Sequence, residues 1–333
     1  MKFYKVFFAA ALTALLAAAA SAEEAKGLLL VANKGDHTLS IISPETGVGA
    51  ATVGEDGITG HEVVASADGK LAFVPIFGNS GVGKPGTDGS LIRVIDLEKH
   101  AVIATIDFGK GVRPHCAVIG PKNHLLYVTT ELENSLTVID PKTFKIIGSI
   151  PTGQAESHML AISSDGKKGY TANVGPGTVS VLDLETKKTL KIIPISKTTQ
   201  RISISPDDKW VFTSDQTKPQ IAVIDTKNEV TQWIELPGLG YGTAVTPDGH
   251  WLVVALNTIN QVGLVDLKTM KVAHVLEVPK SPQEVLIRPD NQVAYVSCDA
   301  SKQVAVIDLK SVKVEKLIAA GKGADGLAWA ATK

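Results

Sequence analysis

Residues 125–168 read LLYVTTELENSLTVIDPKTFKIIGSIPTGQAESHMLAISSDGKK. Four short runs here are rich in β-branched and aromatic residues, and turn formers separate them: Glu-Asn, Asp-Pro-Lys, Pro-Thr-Gly and Ser-Asp-Gly. The pattern predicts strands over 125–130, 135–140, 145–150 and 158–163.

The unit recurs along the chain. An apolar strand ending in Asp closes at Asp96, Asp140, Asp183, Asp225, Asp266 and Asp308, and Ser43 holds the matching place in LSIIS. Successive markers lie 53, 44, 43, 42, 41 and 42 residues apart. Each Asp carboxylate can cap the turn that follows it. A second marker, the Asp-Gly type of tight turn, falls at Asp68-Gly69, Asp165-Gly166, Asp207-Asp208, Asp248-Gly249 and Asp290-Asn291. A period of about 40 residues carrying four strands is the signature of propeller blades. The sequence therefore predicts an all-β, seven-bladed β-propeller of four-stranded antiparallel blades. No Pro/Ser-rich linker or charge block follows Gly27, so residues 23–333 read as one domain.

The ends predict how the ring closes. The first unit begins at Gly27 with its second strand, and the C-terminal stretch from Ala324 to Ala330 matches the inner strands of the other units. This last strand should complete the first blade without a covalent link and leave no open sheet edge at the seam.

The runs YVTT (127–130), YTAN (170–173) and YVSC (295–298), each followed by a VID-type strand, resemble the YVTN-repeat β-propellers. That family includes surface-layer proteins and periplasmic YncE-like proteins. The resemblance covers residues 27–330 and implies the fold. For function it implies a range, because related propellers include lactone hydrolases, a copper-cluster domain and pure binding modules.

The start of the chain carries a targeting pattern. Lys2 and Lys5 precede an apolar run from Phe7 to Ala20, and Ala20-Ser21-Ala22 is a small-residue cleavage site. A cleaved signal over 1–22 is the expectation, with a periplasmic or secreted destination. No other stretch is apolar and long enough to span a bilayer. The formal net charge of −1 argues against a nucleic-acid surface driven by bulk charge. A monomer is expected. The two cysteines, Cys116 and Cys298, fall on blades across the ring, so two free, buried thiols are expected.

Function has to come from where the repeats differ. Aligning the seven inner strands places Asp325, His61, His115, His158, Gln200, Tyr241 and Gln283 at one register position, in ring order from blade one to blade seven. Three neighbouring imidazoles beside a carboxylate at a channel mouth fit a metal or substrate site, and Zn or Cu is the ion this set would take. Arg113, two residues before His115, could hold an anionic group there, and Glu131 ends a strand on the same face. Glu62 and Cys116 follow two of the histidines, and strict alternation turns their side chains toward the blade interfaces. The structural alternative is that these polar groups bond one another and channel water.

One irregularity stands out, the stretch FGNSGVGKPGTDGS over 77–90, about ten residues longer than the tight turns elsewhere. It should lie on the mouth face as a lid or rim, or as a tolerated surface insertion. It is not a phosphate loop, because Pro85 stands where Ser or Thr would meet Mg²⁺ and no helix follows. His37, His100, His124, His250 and His274 read as solvated turn or outer-strand residues, and Trp210, Trp233, Trp251 and Trp329 as packing between blades. No nucleophile elbow, CxxCH or zincin motif occurs. The expectation is a non-enzymatic binding or scaffold module that holds a protein, glycan or small molecule at the channel mouth. The alternatives are a metal-dependent or lactonase-like hydrolase working through His61, His115 and His158, and a metal carrier without turnover.

Overall fold

The computed structural model describes residues 25–332. The signal segment expected over 1–22 lies outside the described residues. Seven sheets, each of four antiparallel strands, make up the chain. The stretch that opened the sequence reading supplies Leu126–Thr130, Ser135–Asp140 and Lys145–Pro151 to blade three and Ser157–Ile162 to blade four. The inner strand of blade three is Pro114–Ile119. The Asp markers act as the turn chemistry requires. Asp140 Oδ1 accepts the Lys142 N–H at 2.9 Å, and Asp96, Asp183, Asp225, Asp266 and Asp308 take equivalent bonds.

The ring closes as the ends imply. Ala324–Ala331 is the inner strand of blade one, antiparallel to Gly27–Asn33 and in register through Leu29↔Trp329, Leu30↔Ala328 and Val31↔Leu327. Trp329 also stacks on the buried Tyr295 of blade seven, with ring centroids 6.1 Å apart. Both cysteines are free and buried.

The core lies between blades. Six apolar clusters together cover every blade-to-blade interface of the ring. This is why the second and third strands are apolar almost throughout: both of their faces are buried. Trp233 departs from expectation. It sits on the outer strand Thr231–Glu235 and is 40 % exposed, because an outer strand has one face in solvent.

One feature of the inner strands positions everything below. In every blade, the pairing of the inner strand with its neighbour slips by one residue at the same place. The slips fall after Ala324, Gly60, Pro114, Ser157, Thr199, Gly240 and Pro282. Each slip is a β-bulge, and a bulge breaks the in–out alternation of side chains. Hydroxyls of the second strands satisfy the backbone that the bulges free. Thr129 Oγ1 accepts the Cys116 N–H at 2.9 Å and donates to the His158 carbonyl at 2.8 Å, tying blade three to blade four. Thr213 donates to the Arg201 carbonyl and Ser297 accepts the Glu284 N–H. Thr129 and Ser297 hold the third place of their YVTT and YVSC runs, and Ser214, the matching residue of blade five, donates to the Tyr241 carbonyl as Thr129 does to that of His158.

Candidate functional site at the channel mouth

The bulges bring two successive residues of each inner strand toward the axis. The first set is the register position read from sequence. The second set is Gly326, Glu62, Cys116, Met159, Arg201, Gly242 and Glu284. Short members stay between blades, as Cys116 does in the apolar cluster with Met159 and Leu160. Long ones reach across the ring. Glu62 was expected to face a blade interface; the bulge instead sends its carboxylate to the centre.

Arg201 is the hub of that centre. It is 2 % exposed, and its Nη1 donates to Glu62 Oε1 at 2.6 Å and to Glu284. Its Nη2 donates to Asp325 Oδ1 at 3.2 Å, and its guanidinium lies 5.0 Å from the Tyr241 ring centroid. One side chain from blade five thus ties blades one, two and seven and floors the mouth. Gly242 is required for this closeness, since a Cβ there would collide with the Gln283 carbonyl. Lys34 extends the lattice upward, bonding Asp325 at 3.1 Å and Asp299 at 2.9 Å.

Electrostatics follow from burial and from an excess of acids. Burial, with Glu284 and Asp325 nearby, pushes the Glu62 carboxyl up to about 8 despite its bond to Arg201. Burial raises Glu284 as well. For Asp325 burial works upward too, but Lys34 and Arg201 outweigh it and hold that carboxyl below its ordinary range. Glu62, at about 8, is therefore the carboxyl of the lattice that carries a proton at neutral pH.

The three histidines meet on one side of this floor. His115 and His158 stack at 3.7 Å between centroids, and His61 stands edge-on to His115 at 5.4 Å. Phe77 closes the group, 5.1, 5.2 and 6.1 Å from the three rings. Burial, helped by Lys34 and Arg201, lowers His61 to about 4, and burial with the neighbouring charges takes His115 and His158 well below the ordinary imidazole range. All three are neutral at pH 7. His115 Nδ1, His158 Nδ1 and Arg201 Nε are buried without a hydrogen-bond partner, a costly condition for polar atoms unless something fills it. Among the described residues no group of three or more His, Cys, Asp or Glu is placed to hold a metal.

The remaining candidates divide. Tyr241 carries the Arg201 guanidinium over its ring, the Gln283 amide donates to Ser281 Oγ at 2.9 Å, and Gln200 shares their register position. Arg113 and Glu131 do not join the histidines. Arg113, in a left-handed backbone conformation (φ 52°), donates to Asp88 at 2.6 Å, to Glu131 at 2.9 Å and to the Lys84 carbonyl at 2.7 Å. Its charge clamps the insertion, whose residues 79–87 run between Leu71–Gly78 and Asp88–Asp96. Sequence reasoning missed Arg201, Glu284, Lys34 and the role of Phe77. The available signal was opposite charges, Glu62, Arg201 and Glu284, sharing one register position in otherwise apolar strands.

Comparison with known proteins agrees with this architecture. The family model described as "Domain of unknown function (DUF5074)" matches residues 107–283, more than half of the chain, and the chain belongs to that family. No curated protein matches it. Solved structures similar to it include Kuenenia stuttgartiensis hydrazine synthase, with a TM-score of 0.70 and 17 % identity over 89 % of this chain and 99 % of that one. A functionally unknown protein from Desulfotomaculum acetoxidans DSM 771 aligns with a TM-score of 0.75 and 14 % identity over 92 % of this chain and 100 % of that one. At these identities the likeness is one of fold.

Proposed function

We propose that this member of the DUF5074 family is a binding module whose channel mouth takes a small uncharged molecule rich in hydroxyl or amide groups. The observation that carries the reading is the set of buried, unpartnered nitrogens: His115 Nδ1 and His158 Nδ1 in rings packed against Phe77, and Nε of Arg201 in the floor. The imidazoles are neutral and Arg201 is already matched by carboxylates, so the mouth offers hydrogen bonds and ring faces and has no free charge for an ion. Gln200 and Gln283 add amides at the rim. The YVTT-type strands are the ground for placing the chain beside the YVTN-repeat propellers, and the leader pattern for a periplasmic or secreted site of action, where such modules meet small solutes.

The hydrolase and metal-carrier readings both need His61, His115 and His158 to converge on one ion, which requires the stacked pair to turn. One experiment separates the readings: native mass spectrometry with elemental analysis of the untagged protein, purified without chelator, beside a His115→Leu/His158→Leu variant that keeps its circular dichroism. A retained organic mass, lost in the variant, supports the binding module. About one equivalent of Zn or Cu per chain, lost in the variant, replaces that reading with a metal site. Neither mass nor metal, in protein released gently from cells, removes the mouth as a ligand site.

A further inference from the structure

A second site lies outside the histidine cluster, joined to it through Phe77, whose ring centroid is 5.9 Å from the Arg113 guanidinium carbon. The insertion does not lie flat. Its Gly83, Lys84 and Pro85 overhang blade three and the connection to blade four, and enclose an open cleft of about 380 Å³ with Arg113, Glu131, Leu132, Asn134, Ala155 and Glu156. Two carboxylates face it. Glu131 is 2 % exposed; its Oε1 accepts the Gly83 N–H at 3.0 Å and Arg113 Nη1 at 2.9 Å, while its Oε2 is buried with no partner. Glu156 is held in a left-handed conformation (φ 54°), and its carboxylate rests between Gly83 and Gly175. A Cβ on either glycine would come within 2.5 Å of a Glu156 oxygen, so both positions must be glycine for the carboxylate to sit there. No side-chain hydrogen bond or ion pair engages Glu156 among the described residues.

We propose that this cleft binds a cationic nitrogen group on an apolar stem: a primary ammonium or guanidinium of the kind carried by a free alkylamine or by a lysine or arginine side chain. The volume is far larger than a metal ion needs and suits a short chain with a charged head. Pro85, Leu132 and Ala155 give apolar walls for the stem, and Glu131 and Glu156 receive the head. Arg113 offsets only part of this charge, because its single positive charge is shared by Asp88 and Glu131 while Glu156 has no ion pair among the described residues. Lys84 is the internal competitor. It lines the cleft, is exposed and forms no ion pair with Glu131 or Glu156 among the described residues.

The test is calorimetric titration of the full mature chain with 1,5-diaminopentane, N-acetyl-arginine amide and N-acetyl-lysine amide, with N-acetyl-norleucine amide as the uncharged stem. Saturable binding of the cationic probes, absent for norleucine, is expected. Binding should weaken at least about tenfold in Glu156→Gln, remain in Glu133→Gln, whose carboxylate pairs with Lys110 outside the cleft, and tighten in Lys84→Met. Preference for the diamine assigns a free amine as source, and preference for the blocked amino acids assigns a protein side chain. No binding of any cationic probe to wild type or to Lys84→Met overturns the proposal, as does equal binding to Glu156→Gln. Neither result bears on the channel mouth, which Glu156 does not line.

Discussion

Two arginines, both nearly wholly buried and both set among carboxylates, organise different parts of the ring. Arg201 arises from the repeat itself: it occupies the second bulge position of its blade, and the equivalent positions in blades two and seven supply Glu62 and Glu284. Arg113 answers a break in the repeat, fixing one insertion to one blade through Asp88 and Glu131. The same chemistry therefore yields a global tie in one place and a local clamp in the other. What decides is whether the partners come from several blades or from one neighbouring loop.

Replacing the arginines should show this contrast. Arg201→Met strands three buried carboxyls, and removing one member of a buried ionic network costs roughly 3–5 kcal/mol. A single cooperative loss of stability in urea, across all spectroscopic probes, is expected. A loss confined to one part of the ring would break the comparison. Acidification should act next, and again through the centre. His61, with a folded pKa of about 4, and His115 and His158, also held well below the ordinary imidazole range, are neutral in the fold and protonate more readily when unfolded. Their stabilisation is full above the ordinary imidazole pKa and is lost as pH falls. Glu62, raised to about 8, works the other way: its contribution is present at acid pH and is lost as pH rises through 8. Above about pH 6.5 the imidazoles contribute no further change, and Glu62 with Glu55, which burial raises to about 7, should make the melting temperature decline as pH rises from 6.5 through 8.

Arg113→Gln should cost less, about 2 kcal/mol from weakened charge-assisted bonds. Its clearer signature is limited proteolysis within 79–87, with the rest of the ring resistant. Protection there equal to wild type would mean that the clamp is idle. Smallest is Gln200→Ala, a partly exposed rim residue, expected to change stability by no more than about 0.5 kcal/mol while weakening retention of whatever the mouth holds.

The unequal legibility of these regions has physical causes. Asp-terminated strands and Asp-Gly turns are local chemistry, so the blades and their count can be read from the sequence. The closing strand was legible because Ala324 to Ala330 repeats an inner-strand pattern that the first unit lacks. The histidine cluster was legible as a position, since inner strands share a register. Its floor was not. Alternation places Glu62 and Arg201 between blades, and the bulge that redirects them is a backbone event recorded in the sequence indirectly, through hydroxyls such as Thr129, Ser214 and Ser297. Arg113 and Glu131 could not be assigned to the insertion because a loop outside the repeat has no register from which to predict partners.

The central claim is that the ring holds three neutral imidazoles available above a closed ionic floor. Its most direct test is the proton NMR titration of the histidine rings from pH 4 to 8. Of the eight histidines, His61 should titrate with a midpoint near 4, and His115 and His158 should likewise titrate well below the ordinary imidazole range. An inflection above pH 6 for any of the three would mean that the cluster is hydrated and charged, and would contradict the account.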